Sequence, residues 1–171
     1  MSSNRTNGAL LLPEQGLERV SVLTYVTDTF TLKGCKRRLY RDENERLVFY
    51  TGSRLRGVVV VSVILEPPRA WTRRKRYGVH VDPECTMAIL RYLDQRGYQV
   101  NAVCHSHPFD DVPTPSGTDY ELQRRLEAHG YTAVGMVFSR SAVRFFSHSM
   151  KFKVHVEGDD VKAAGDRVFL L

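Results

Sequence analysis

The segment from His105 to Asp119 constrains what this 171-residue chain can fold into more than any other stretch. It reads His-Ser-His-Pro-Phe-Asp-Asp-Val-Pro-Thr-Pro-Ser-Gly-Thr-Asp. Asn101-Ala102-Val103-Cys104 ahead of it suggests a strand, and a helical pattern begins at Ser116. Residues i and i+2 of a strand share a face, so His105 and His107 can point into one site. Asp119 stands three residues past a Ser116 N-cap, beside the free N–H groups of a helix start. Two imidazoles and a carboxylate, with a fourth position left for water, make the donor set of a catalytic zinc site holding one ion per chain. Cys104 adjoins His105 but falls on the opposite face, where it reads as a small buried hydrophobe. Asp110 and Asp111, inside the loop, read as solvated acids.

His105, His107, Ser116 and Asp119, helped by Pro108 and Pro115, resemble the signature of the JAB/MPN (JAMM-motif) zinc metallopeptidases. That signature is a distant Glu, then His-x-His, then Ser-x-x-Asp. Between His107 and Ser116 the chain has one residue more than is usual in the family. The ligands sit on the flanking elements, so a Pro-rich loop absorbs the insertion. The family's catalytic glutamate lies upstream, ahead of a glycine. Glu45 fits that place before Gly52, with Val48 where many relatives carry glycine. Glu43 is the runner-up, on the same face if the strand extends that far. The resemblance covers roughly residues 20 to 150.

The resemblance implies an α/β fold: an MPN-like (cytidine-deaminase-like) sandwich with a mixed central β-sheet flanked by helices. It also implies hydrolysis of the peptide or isopeptide bond after the C-terminal tail of a ubiquitin-like protein, as deconjugation or as precursor processing. The implied partners are a ubiquitin-like protein and its conjugates. Compact bacterial deubiquitinase-like members of this kind work with ubiquitin-like conjugation or sulfur-carrier systems. In that chemistry zinc on His105, His107 and Asp119 lowers the pKa of its water towards ~7. Glu45 takes the proton and hands it to the leaving amine, and Ser116 donates to the oxyanion, a contact typically worth roughly 3–4 kcal/mol.

Two other readings stand beside this one. Pro-Thr-Pro-Ser before the aspartate also resembles the RadC-like, nucleic-acid-associated branch of the fold. Dispersed basic residues, and the expectation that no helix-hairpin-helix segment precedes the domain, speak against it. The third is a non-catalytic partner-binding MPN module, in which the metal only staples the fold.

The length suits one core, so the expectation is a loose arm over residues 1–16 and a single domain over 17–171. The longest apolar run, Val58 to Val61, is strand-sized, which leaves no membrane span. The start is too poorly flanked for a secretory signal. Cys35, Cys85 and Cys104 form an odd set without CxxC spacing, so a reduced, cytoplasmic protein is expected. With the other basic residues dispersed, much of the excess behind the net charge of +6 lies in two separate short clusters, Lys36-Arg37-Arg38 and Arg69 with Arg73-Arg74-Lys75-Arg76. These read as two solvated basic loops, or as a surface for an acidic partner or a phosphate backbone.

Val20, Val22 and Thr24 alternate as a strand would. Tyr25 to Arg41 is ambiguous: Val26, Phe30 and Cys35 allow a helix, and Thr27-Asp28-Thr29 argues against one. Strands are expected over 47–51 and 58–65, the latter central and covered on both faces. Asp82-Pro83 opens a helix that closes before Gly97, with Cys85, Ile89, Tyr92 and Leu93 inward. A strand over 99–104 leads to the histidines. The second helix, 116–129, turns Leu122 and Leu126 inward and ends on His129, a favourable charge at that pole. Strands follow over 132–139, 142–147 and 151–156. His80, His148 and His155 read as surface histidines.

Overall fold

The computed structural model describes residues 22–61 and 63–171, to which all structural statements refer. The expected arm over residues 1–16 lies outside the described residues, as does Val20. The described residues open with β1 (Leu23–Asp28), α1 (Thr29–Leu39), β2 (Leu47–Gly52), β3 (Arg54–Leu55), β4 (Val58–Val60) and β5 (Val63–Leu65). A 3-10 turn (Arg69–Trp71), β6 (Thr72–Lys75), β7 (Gly78–Val81), α2 (Pro83–Asp94) and β8 (Gln99–Ser106) follow. Then come α3 (Gly117–Ala128), β9 (Val134–Phe138), β10 (Ala142–Phe146), β11 (Phe152–Glu157), β12 (Lys162–Gly165) and β13 (Val168–Leu170). The fold is mixed α/β, with a seven-stranded sheet in the order β12-β13-β10-β9-β8-β2-β5. A four-stranded sheet, β11-β1-β4-β3, and the β6-β7 hairpin complete it.

The large sheet has a core on each face. Val48 and Tyr50 of β2, with Ala102 and Cys104 of β8, pack against Leu32, Cys35 and Leu39 of α1 and against Tyr25 and Val59 of the smaller sheet. Leu47, Phe49 and Val103 face the other way, onto Leu90 and Leu93 of α2 and Leu126 of α3. Within this sheet β8 and β9 run parallel, joined through α3, and its other pairings are antiparallel. A parallel crossover leaves the carboxyl end of its first strand facing the start of its helix. His105 lies at that strand end and Asp119 in that first helical turn.

Local chemistry resolves the ambiguous stretch after β1. Asp28, which argued against a helix, is its N-cap: it accepts from the Thr31 N–H at 2.7 Å and the Thr31 hydroxyl at 2.8 Å. Lys36, Arg37 and Arg38 therefore sit in the last turn of α1 and not in a loop, where cations meet the negative pole of the helix. The second basic run is likewise not a loop, for Arg73 to Lys75 form one arm of the β6-β7 hairpin.

The apolar run 58–65 is two strands in different sheets, not one central strand. Val60 O accepts from the Asn101 side chain at 3.1 Å, and Val61 N–H donates to Val26 O at 3.0 Å. A Cβ on Gly52 would lie 1.7 Å from Val60 O, so that close approach needs glycine. With Val58 and Val60 each 40% exposed and Val63 52%, one face of the run meets water. In α2 the buried residues are Cys85, Leu90 and Leu93. Tyr92 instead lies outside, with the Arg96 guanidinium 3.8 Å from its ring centre. In α3, Gln123 and Leu126 are buried, whereas Leu122 is 40% exposed.

Candidate metal centre and active site

The first two donors come from strand geometry. β2 and β8 pair antiparallel with Leu47 opposite His105. Beyond the last ladder pair, Ser106 N–H donates to Arg46 O and Arg46 N–H to Ser106 Oγ, both at 3.1 Å. His107 N–H is held by Phe138 O at 2.8 Å, at the end of β9. His105 and His107 thus emerge on the α2/α3 side of the sheet, and Cys104 is fully buried on the other. The third donor comes from a helix cap. Ser116 Oγ accepts from Asp119 N–H at 3.3 Å while Asp119 Oδ2 accepts from Ser116 N–H at 2.6 Å, a reciprocal capping box.

These elements bring the three donors together. His105 Nε2 lies 3.1 Å from His107 Nε2 and 3.1 Å from Asp119 Oδ1, and His107 Nε2 lies 3.7 Å from Asp119 Oδ2. An ion roughly 2.0–2.1 Å from each of three tetrahedral ligands would set them about 3.3 Å apart. The spacing fits, and this group could bind a metal ion. Among the described residues it is the one group of this kind.

Asp110 belongs to the site as well. Its Oδ2 lies 3.0 Å from His107 Nδ1 and accepts that ring's N–H, which leaves the Nε2 lone pair aimed at the donor cluster. The sequence reading of Asp110 as a solvated loop acid is therefore incomplete. Its spacing, three residues after a histidine in a tight turn, was the available signal; the Asp110 N–H to His107 O bond (3.2 Å) closes that turn. Asp111 is exposed and makes no such contact.

Glu45 precedes β2 by two residues and lines the same cleft, ≈ 250 Å³ in volume, as His105, His107, Ser116 and Asp119. Its backbone N–H donates to Lys75 O at 2.9 Å, which ties it to the hairpin. Burial pushes its carboxyl up to about 7, with Asp119 and Asp110 adding to the rise and His105 opposing it. Glu43 lies in an exposed bend, away from the residues lining the cleft. Burial also acts to raise Asp119, but His105 and the Ser116 hydrogen bonds outweigh it and hold this carboxyl at about 2. Burial, and next the charge of His105, lower the His107 imidazole below its usual value, so it stays neutral and able to coordinate.

The far wall of the cleft is the β6-β7 hairpin, whose basic residues the sequence suggested as a solvated loop or a partner surface. Tyr77 packs against Phe109 of the motif loop with ring centres 5.5 Å apart and planes tilted by 52°, and the Arg76 guanidinium lies 4.2 Å from the Phe109 ring centre. Val79 and Leu122 line the cleft between them. His80, His148 and His155 are exposed and stand apart from it. At the end of α3, His129 Nδ1 lies 2.8 Å from Arg125 O.

No family profile matches the sequence, and no curated protein matches it. The fold is similar to the solution structure of a structural-genomics target from Desulfitobacterium hafniense, with a TM-score of 0.55 at 12% identity. That likeness covers 79% of this chain and 94% of the other. No described helix is long and apolar enough to cross a membrane.

Proposed function

We propose that this chain is a zinc metallopeptidase of the JAB/MPN type, an isopeptidase or peptidase that cuts after the C-terminal tail of a ubiquitin-like protein. The observation that carries the reading is the His105, His107 and Asp119 donor set at coordination spacing in the cleft that Glu45 lines. When bound there, zinc supplies Lewis acidity and makes water a competent nucleophile near neutral pH.

The chain's own groups supply the rest. Glu45, poised at about 7, can take a proton from water and return it to a leaving amine. Ser116 Oγ accepts from Asp119 N–H, so its own hydroxyl hydrogen remains free to donate to a developing oxyanion. Asp110 holds His107 in the coordinating tautomer. An extended tail entering between the hairpin and α3 would meet Tyr77, Val79 and Leu122.

The test is zinc-loaded protein with ubiquitin bearing a C-terminal fluorogenic amide, and with a lysine-linked diubiquitin. Cleavage lost in Glu45→Ala, with zinc still bound, is expected. Full activity of that variant would sink the assignment of the base. Chelation separates a structural ion from a catalytic one: the protein should lose activity and keep its circular dichroism spectrum.

A further inference from the structure

One face of α1 takes no part in the core or the cleft. Phe30, Gly34, Arg37 and Arg38 follow the spacing i, i+4, i+7, i+8, which puts them on one stripe opposite the buried Leu32, Cys35 and Leu39, and Arg41 follows just past the end of the helix. With Ile64 of β5 they line a shallow groove of ≈ 410 Å³. The helix pole accounts for cations in the last turn, but not for a phenylalanine left 79% exposed on the same stripe. Nor does it account for glycine at the groove floor. A Cβ at Gly34 would meet nothing closer than the Arg37 guanidinium at 4.0 Å, so packing does not require glycine there.

Arg37 and Arg38 have no carboxylate partner among the described residues. Among the described residues the one carboxylate paired with the groove arginines is Glu66, 3.7 Å from Arg41 and shared with Arg46 and Arg74 at 3.2 Å each. The groove wall β5 is the edge strand of the large sheet, pairing with β2 and, among the described residues, with no strand on its other edge. Guanidinium forks suit carboxylates, an open edge suits an extended backbone, and Phe30 with Ile64 suits an apolar side chain. A nucleic-acid track would call for stacking faces along a longer basic strip.

We propose that the groove between α1 and β5 docks an acidic, extended segment of a partner protein that carries an apolar residue among its carboxylates. Tyr40, beside Arg41, donates its hydroxyl to Phe138 O at 2.9 Å, and Phe138 O also holds His107 N–H. The Arg41 end of the groove is thus one residue from a side chain tied to the backbone group that holds His107.

The experiment uses the full chain and fluorescence anisotropy with a labelled Glu/Asp-rich peptide bearing one central Phe; an oligothymidine strand of similar length is the second probe. The peptide is expected to bind, and to weaken by about tenfold or more both in R37E/R38E and on raising salt. Gly34→Leu keeps every charge but fills the floor, and should weaken the peptide to a similar degree while the helical signal is retained. Peptide affinity unchanged in Gly34→Leu overturns the proposal, as does oligothymidine that binds the groove in place of the peptide. A dimer in sedimentation that Gly34→Leu abolishes would overturn it in favour of a second copy.

Discussion

Asp110 Oδ2 sits 3.0 Å from His107 Nδ1, so a loop carboxylate orients one of the two imidazoles whose other nitrogens face each other across 3.1 Å. Replacing Asp110 with Asn keeps the shape and loses the charge. Zinc affinity is expected to fall by about 10–100-fold, the usual range for such outer partners, as read by competition with a chromophoric chelator. Unchanged affinity would mean that the contact does not tune the site.

Ser116 has two tasks that separate by measurement. Ser116→Ala removes the Oγ acceptor of Asp119 N–H and should cost about 0.5–2 kcal/mol of stability in denaturant melts. If the hydroxyl also serves an oxyanion, kcat should fall by about 100–1,000-fold. Ser116→Thr restores a cap, so stability that recovers without activity would show that the two tasks depend on different geometry.

Glu45 makes the metal-free protein sensitive to pH in an unusual direction. Its carboxyl ionises near 4.5 ordinarily but near 7 in the fold, because burial disfavours the charge. Between those values the folded state holds a proton that the unfolded state has released, so stability falls as pH rises from about 4.5 to about 7. Glu45→Gln should remove that slope, leaving the variant relatively more stable at pH 8 than at pH 5 in chelator-treated melts. Equal slopes in both proteins would contradict the buried placement of the carboxyl.

Gly135 lies behind the site. A Cβ there would meet the Phe146 ring at 2.2 Å, and Phe146 in turn packs edge-on against Tyr120, ring centres 5.2 Å apart, next to Asp119. Gly135→Ala should cost about 1–3 kcal/mol by overpacking. It should also weaken zinc binding by displacing the first turn of α3. A melting temperature equal to that of the parent would show that Phe146 has room to move.

Much of the candidate site was legible because local rules suffice for it. Strand periodicity brings His105 and His107 together, and a Ser-x-x-Asp cap puts Asp119 at a helix start; both are short-range patterns. Glu45 could be nominated only through the family resemblance, since its place in the cleft with His105 and His107 depends on β2 pairing with β8. Asp110 was missed because its role is a side-chain contact and not a periodicity. The run 58–65 misled because continuous valines look the same whether they cross a core or pass between sheets. Its break is set by the distant Asn101 and Gly52. Residues 162–170 offer only two short runs on either side of a turn at Asp166-Arg167, Lys162–Gly165 and Val168–Leu170, neither long enough to show the alternation that would announce β12 and β13.

Asp119 divides its carboxylate between two duties: Oδ2 closes the helix cap on Ser116 N–H, and Oδ1 faces His105. Fraying of the first turn of α3 would carry one of the three donors away from the group and so weaken its hold on an ion. Its residence time is then tied to local fraying of one helix end, a low-energy opening that proceeds without global unfolding. Amide exchange at Asp119 and the rate of metal release should therefore slow together when the cap is strengthened, which makes the start of α3 a latch and its winding the clock of the site.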